Sequence, residues 1–295
     1  MKNPFKGRMH SMGLCKGISD CPHLAESPFF AFTNTPDIPD VDDVRGSVLL
    51  IGGDRGNGKT VYGHRLLHEY HARGLETMDL LYLGRVIKES PVRRHQVLCA
   101  LQSKIDRFDP ADPKADDGVW GEKLCDILGR KQSKTLAVRL PAVEQKAGAG
   151  CGEIVEEIVQ YATAAHLSDH VLVYEYLTDS WPDDWDGLLV QIEKNHDAAV
   201  QERVVNELSA DDLWSYVQGV MDRHPHNGIT LAPGMSEELR KAFSILPVIA
   251  RRPLRLSGMH GLMRTAFEMA IAQDSSEVSA AHVISAAYGL RGAPA

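Results

Sequence analysis

The sequence predicts an α/β fold: a parallel sheet sandwiched by helices, followed by a small all-α domain. Three observations carry this. Short apolar runs bounded by glycine or polar residues alternate with helical segments, as strands buried on both faces do. Strand and helix alternate in chain order, which argues for a parallel sheet. From Ser209 onward the pattern turns wholly helical. Composition agrees: 295 residues are 43% hydrophobic and 24% charged, with 32 Lys+Arg against 40 Asp+Glu. Those are ordinary globular values that exclude wholesale disorder and fibrous rods. The net charge of -8 does not favour non-specific nucleic-acid binding.

Residues 1–46 read as an irregular segment, with a Phe29-Phe30-Ala31-Phe32 knot. Order begins with the strand Ser47–Ile51. A helix runs from Lys59 to about Arg73, where Val61, Leu66, Leu67 and Tyr70 can share a face and Gly74 is a natural stop. Met78–Leu83 reads as a strand and Val92–Phe108 as a helix. Beyond an Asp/Pro-rich loop come a helix Trp120–Gly129 and a strand Thr135–Leu140. A glycine-rich break precedes a helix Glu153–Ala165 and a strand His170–Tyr176. Trp185–Lys194 is helical and Val204-Val205 sits in a last short strand. The chain therefore divides into a segment 1–46, an α/β domain 47–208 and a helical domain 209–295, with Ser209 capping the first helix of the last part.

The strongest motif is Gly53-Asp54-Arg55-Gly56-Asn57-Gly58-Lys59-Thr60, which fits G-x-x-x-x-G-K-[ST] between a strand and a helix. Glycines let backbone N–H groups turn inward and cradle phosphate oxygens. The helix N-terminus adds a positive dipole end. Lys59 can reach β- and γ-phosphates, and the Thr60 hydroxyl suits Mg²⁺, a cation that prefers oxygen. The loop set ends with Val61. The expected fold is that of a P-loop NTPase, with ATP and Mg²⁺ as the expected ligands.

With this loop, the alternation and the helical tail, the chain resembles an AAA+ ATPase. Ser257-Gly258-Met259-His260-Gly261-Leu262-Met263-Arg264 and Val278-Ser279-Ala280-Ala281-His282-Val283 look like the lid of initiator- and clamp-loader-like members. The resemblance implies that Arg264 is the sensor-2 arginine, which touches the γ-phosphate from the lid. It also implies an arginine finger just before the last strand, where Arg203 stands. The family's Walker B strand ends in Asp-Glu, and this chain has no such pair. The strand 135–140 comes third, where Walker B belongs, but runs into Leu140-Pro141, with Glu144 arriving later; the strand 170–176 carries Glu175. Connection lengths favour the first as Walker B, leaving Thr178 or Asp179 as the polar tip of a sensor-1 strand. In the other assignment Glu175 is the catalytic carboxylate.

The remaining clusters are weaker. His10, Cys15, Cys21 and His23 have spacings that fit a zinc site poorly. His64, His68 and His71 share a helix side that reads as wet surface. Arg251, Arg252 and Arg255 form a basic strip that reads as a solvated turn, and Trp181 and Trp185 lie among acids suited to a partner contact. Five cysteines, an odd number, favour a reducing compartment. No window approaches the roughly 18 apolar residues of a membrane span. The chain is read as cytoplasmic, acting with copies of itself or with partner proteins.

Two functions from different classes stand open. One is an ATPase that works as a nucleotide-driven switch or assembly factor in a multi-component complex. The other is a nucleotide-binding scaffold with little or no hydrolysis, which the missing Asp-Glu pair supports. A P-loop kinase is a third, opposed by a lid that follows the sheet instead of interrupting it.

Overall fold

The computed structural model describes residues 1–5, 35–54, 56–80, 90–106, 120–130, 134–141, 152–178, 199–222, 228–250 and 255–289, with isolated positions between 187 and 194. Among the described residues, five parallel strands form the main sheet: β1 (Ser47–Gly52), β2 (Glu76–Asp79), β3 (Leu136–Arg139), β4 (Val171–Glu175) and β5 (Ala199–Val204). Their spatial order is β2-β3-β4-β1-β5. β1 is an interior strand, buried throughout and paired with β4 on one side and the edge strand β5 on the other.

Side chains alternate across the sheet with the period of two that strands impose. Val48, Leu50, Leu136, Val138, Leu172 and Tyr174 face helices α3 (Ser90–Asp106), α4 (Trp120–Gly129) and α5 (Gly152–Ser168). Leu49, Ile51, Ala137, Val171 and Val173 face α2 (Lys59–Ala72) and the single turn α1 (Val41–Val44). On the first face, buried Arg93 pairs with buried Glu157 at 2.9 Å, and Tyr161 donates to the same carboxylate. Burial alone would lower the Arg93 pKa; the carboxylate outweighs it and raises the value. Breaking such a pair leaves an uncompensated charge in the core.

The helical part comprises α6 (Ala210–Asp222), α7 (Met235–Ala250), α8 (Leu256–Ala272) and α9 (Ala280–Gly289), packed around a second apolar cluster. Ser209 caps α6 as expected: its hydroxyl accepts from Asp212 N–H, and the Asp212 carboxylate accepts from Ser209 N–H. Ser279 and His282 repeat the device at α9, where His282 Nδ1 accepts from Ser279 N–H at 3.0 Å. The Val-Ser-x-x-His spacing of the tail is thus a helix start.

Several boundaries differ from the sequence reading. β2 begins at Glu76 and ends at Asp79, because its pairing with β3 runs from Glu76–Leu136 to Asp79–Arg139. β5 starts at Ala199, so Arg203 lies inside it and not ahead of it. The helical part also holds two short strands, β6 (Thr230–Leu231) and β7 (Glu277–Val278), too short for periodicity to reveal. Val61 leaves the face of Leu66, Leu67 and Tyr70 and packs on the helical cluster instead. The Phe29–Phe32 knot, most of the 185–194 helix, and the His10, Cys15, Cys21 and His23 group lie outside the described residues.

The segment before β1 is tied down at both described ends. Phe5 is fully buried in the helical cluster, against Phe267 at 5.2 Å, with Tyr216 and His260 around it. Asn3 donates to the Arg264 carbonyl at 2.8 Å. Further on, Tyr62 and Tyr70 of α2 donate to the carbonyls of Asp37 and Pro39.

Two stability measurements test this architecture. Phe5→Ala should cost about 3–5 kcal/mol, read as a lower urea midpoint. His170 is buried, and its Nδ1 accepts from Leu136 N–H, which requires the neutral ring. Burial holds its pKa below the ordinary 6.5, against an opposing pull from Asp169. The unfolded chain therefore takes up a proton first as pH falls. The contribution is intact above 6.5 and is lost as pH drops through and below that value. Unfolding free energy should be lower at about pH 5.5 than at about pH 7.5, and His170→Gln should flatten that slope.

Candidate functional site

β1 delivers the phosphate-loop motif to the N-terminus of α2, as the strand–loop–helix reading requires. Gly53, Gly56 and Gly58 have φ of 144°, 90° and 102°, values that side chains resist. At Gly53 the restriction is doubled, since a Cβ there would sit 2.6 Å from the Val205 carbonyl oxygen. Lys59 is buried, and its Nζ donates to the carbonyls of Gly53 (2.6 Å) and Asp54 (2.8 Å), which keeps the ammonium inside the curve of the loop.

The tips of the flanking strands clasp the loop. Thr178, just past β4, donates its N–H to Gly53 O and its hydroxyl to Asp54 Oδ1 at 2.6 Å. Past β5, the Val205 carbonyl accepts from Asn57 Nδ2 at 3.4 Å. Asn57 itself is buried.

β4 brings an acid to the first turn of α2. Thr60 Oγ1 donates to Glu175 Oε2 at 3.1 Å, and Glu175 is 4% exposed. With its proton so directed, the Thr60 hydroxyl has lone pairs left for a cation, and an oxygen donor beside a carboxylate is the chemistry Mg²⁺ selects. The residues present fit the metal in kind.

Arg139, at the end of β3, is fully buried beside them. It forms a close ion pair with Glu175 Oε1 and a second with Asp79 Oδ2 at 3.4 Å. His64 Nδ1 lies 3.5 Å from the same Asp79 oxygen, so His64 is buried against the sheet and only His68 and His71 stay on the exposed side. The sequence reading missed Arg139 and Asp79, and it placed His64 on a wet surface where the structure buries it. One signal was present: a lone charge inside the apolar run Leu136-Ala137-Val138-Arg139-Leu140.

Other expected residues are dispersed. Arg264 pairs with Glu268 on its own helix at 3.0 Å and is about half exposed. Arg203 stands beside Ile51 in register on β5, and its Nη1 donates to the Glu202 carbonyl. Gly56 and Gly58 lie in the loop and Val61 on the first turn of α2. Arg55, Glu144 and Asp179 fall outside the described residues, as do Arg251, Arg252, Trp181 and Trp185. Among the described residues no cluster of three or more His, Cys, Asp or Glu is arranged to hold a metal ion. No helix there is long and apolar enough to cross a membrane.

No family model matches the sequence, and no curated protein does. Solved structures do match the fold. The Orc1 protein of Aeropyrum pernix in complex with DNA shares 18% identity over 83% of this chain, with a TM-score of 0.52. Drosophila ORC bound to DNA matches at 12% identity over 86% of the chain, with a TM-score of 0.56. Cdc6p from Pyrobaculum aerophilum matches at 11% over 91%, with a TM-score of 0.55. This chain spans 59%, 57% and 74% of those three chains respectively. At these identities the likeness is one of fold. The fold shared with those Orc1, ORC and Cdc6p structures is a parallel α/β sheet followed by a helical part.

The guanidinium lies so close to α2 that position 63 must lack a side chain: a Cβ on Gly63 would meet Arg139 Cζ and Nε at 2.9 Å and Glu175 Oε1 at 3.0 Å. Gly63→Ala should therefore destabilise the fold by about 1–3 kcal/mol, despite alanine's better helix propensity. A urea titration beside the exposed-site control His68→Ala would measure it.

Proposed function

We propose that the chain binds ATP with Mg²⁺ on the β1–α2 loop and serves as a nucleotide-driven switch or assembly factor within a multi-component complex. The observation that carries this reading is the loop itself. Three glycines at positive φ surround a buried lysine ammonium, and the next residue's hydroxyl is bonded to a buried carboxylate.

In this reading the backbone amides of residues 53–60 receive the phosphates, and Lys59 exchanges the carbonyls of Gly53 and Asp54 for β- and γ-phosphate oxygens. Thr60 supplies an oxygen ligand while Glu175 holds its proton. Bound Mg²⁺ supplies charge neutralisation across the phosphates. Thr178, tied to Asp54, is the polar tip through which β4 senses the loop. Arg264 gives the lid its readout by trading Glu268 for the γ-phosphate, and Arg203 on the edge strand serves a neighbouring copy. Glu144 remains a candidate acid and Arg55 a loop candidate. Domain limits of 47–208 and 209–295 belong to the same proposal. Two of the matching structures are DNA complexes. For this chain a net charge of -8 argues instead for partner proteins or further copies of itself.

A second reading has its own observation. The β3 strand leads into Leu140-Pro141, with arginine ahead of them, so the carboxylate beside Thr60 is already ion-paired. A scaffold that binds ATP and hydrolyses it poorly follows from that.

Lys59→Ala should weaken ATP affinity by roughly ten- to a hundredfold, since it removes a charge-assisted contact, and calorimetric titration would measure this. Unchanged affinity would defeat the nucleotide reading. Phosphate release separates the two functions: turnover that Glu175→Gln or Glu144→Gln abolishes supports the ATPase, while tight binding without release supports the scaffold. Copurification with and without a non-hydrolysable ATP analogue tests the assembly role.

A further inference from the structure

Asn3, Pro4 and Phe5 meet the helical part as a self-closed turn. Asn3 Oδ1 accepts from the Phe5 N–H at 2.9 Å, and Pro4 between them has a fixed φ and no N–H to leave unpaired. The asparagine amide is used a second time, since its Nδ2 donates to the Arg264 carbonyl of α8 at 2.8 Å. The Phe5 ring enters a socket between α6 and α8. Its centroid lies 5.2 Å from Phe267, 5.7 Å from His260 and 6.3 Å from Tyr216, in the tilted or edge-on arrangements that aromatic rings favour. Tyr216 and His260 share a hydrogen bond of 2.5 Å, which ties the two helices together along that wall. Pro4 and Phe5 are buried and Asn3 is half-buried, whereas Met1 and Lys2 stay exposed.

The turn has the character of a ligand. It adds neither helix nor strand, and the socket walls belong to helices that also pack on each other and on α9. A turn closed by its own side chain loses little freedom on docking. We propose that the helical domain carries a peptide-binding site for an Asn-Pro-Phe turn, filled in this chain by its own residues 3–5 and open to a partner protein that presents the same turn in their place. Each residue type has a reason. Asparagine alone supplies both the acceptor that closes the turn and the donor that reaches Arg264; aspartate would keep the first and lose the second. Proline sets the backbone between them, and phenylalanine supplies the ring that the aromatic socket receives. The site stands apart from the phosphate loop, and the inference does not rest on the nucleotide reading.

The probe is a fluorescein-labelled peptide of residues 1–6, Met-Lys-Asn-Pro-Phe-Lys, titrated with the full chain and read by anisotropy. The Phe5→Ala chain, whose own ligand is disabled, should bind it at least roughly tenfold more tightly than wild type, where the tethered turn competes at high effective concentration. The same peptide carrying Asn3→Asp or Phe5→Ala should lose roughly tenfold or more in affinity. Should the Phe5→Ala chain fail to fold, Asn3→Ala still decides: it loosens the resident turn without removing the ring and should bind the peptide roughly severalfold more tightly than wild type. A folded Phe5→Ala chain, or in its place an Asn3→Ala chain, that takes up the peptide no better than wild type overturns the inference. Equal binding of the altered peptides overturns it as well.

Discussion

A buried guanidinium must be answered by charge, and that requirement organises the centre of this molecule. Removing Arg139 from water costs several kcal/mol unless carboxylates and hydrogen bonds replace the lost solvation. Asp79 and Glu175 do so, and each comes from a strand flanking β3. The pairing works only if β2, β3 and β4 end at matching heights and if their charged residues share a face. Registers of Asp79 with Arg139 and of Arg139 with Val173 meet the first condition, and strand parity meets the second. The remaining requirement falls on α2, which must present glycine where the guanidinium passes. The loop inherits its position from these demands, because Glu175 also holds Thr60.

The first two turns of α2 show how densely helical geometry can be used. Successive residues rotate by about 100°, so neighbours in sequence face different surroundings. Lys59 turns into the loop, Thr60 to the Glu175 carboxylate, Val61 to the lid's apolar cluster, and Gly63 and His64 to the sheet. One short segment thereby meets phosphate loop, sheet and lid together. A shift of this helix would disturb contacts with all three.

Much of this was legible in the residues and some was not. The phosphate loop, four of the five main strands, the major helices and the Ser209 cap follow from motif, apolar runs and local hydrogen-bonding chemistry. β5 was legible only at its C-terminal end, because Ala199, Gln201 and Glu202 on an edge strand carry little apolar signal. β6 and β7 are two residues each, below any periodicity. The centre of the site was hardest. Glu175 stood out as an isolated acid, but its partner could not be named, since the side chains that meet it are 36 and 115 residues away in sequence. The burial of His64 was hidden for the same reason: spacing places three histidines along one side of a helix, while tertiary packing covers only one.

The anchoring of Phe5 has a consequence for biosynthesis. Its socket is lined by Tyr216, His260 and Phe267, residues more than 200 positions later in the chain. The phenylalanine is synthesised long before the residues of that socket, so its ring cannot be seated until they follow. The ring therefore joins a segment made early to a core completed only when α6 and α8 have been made and packed.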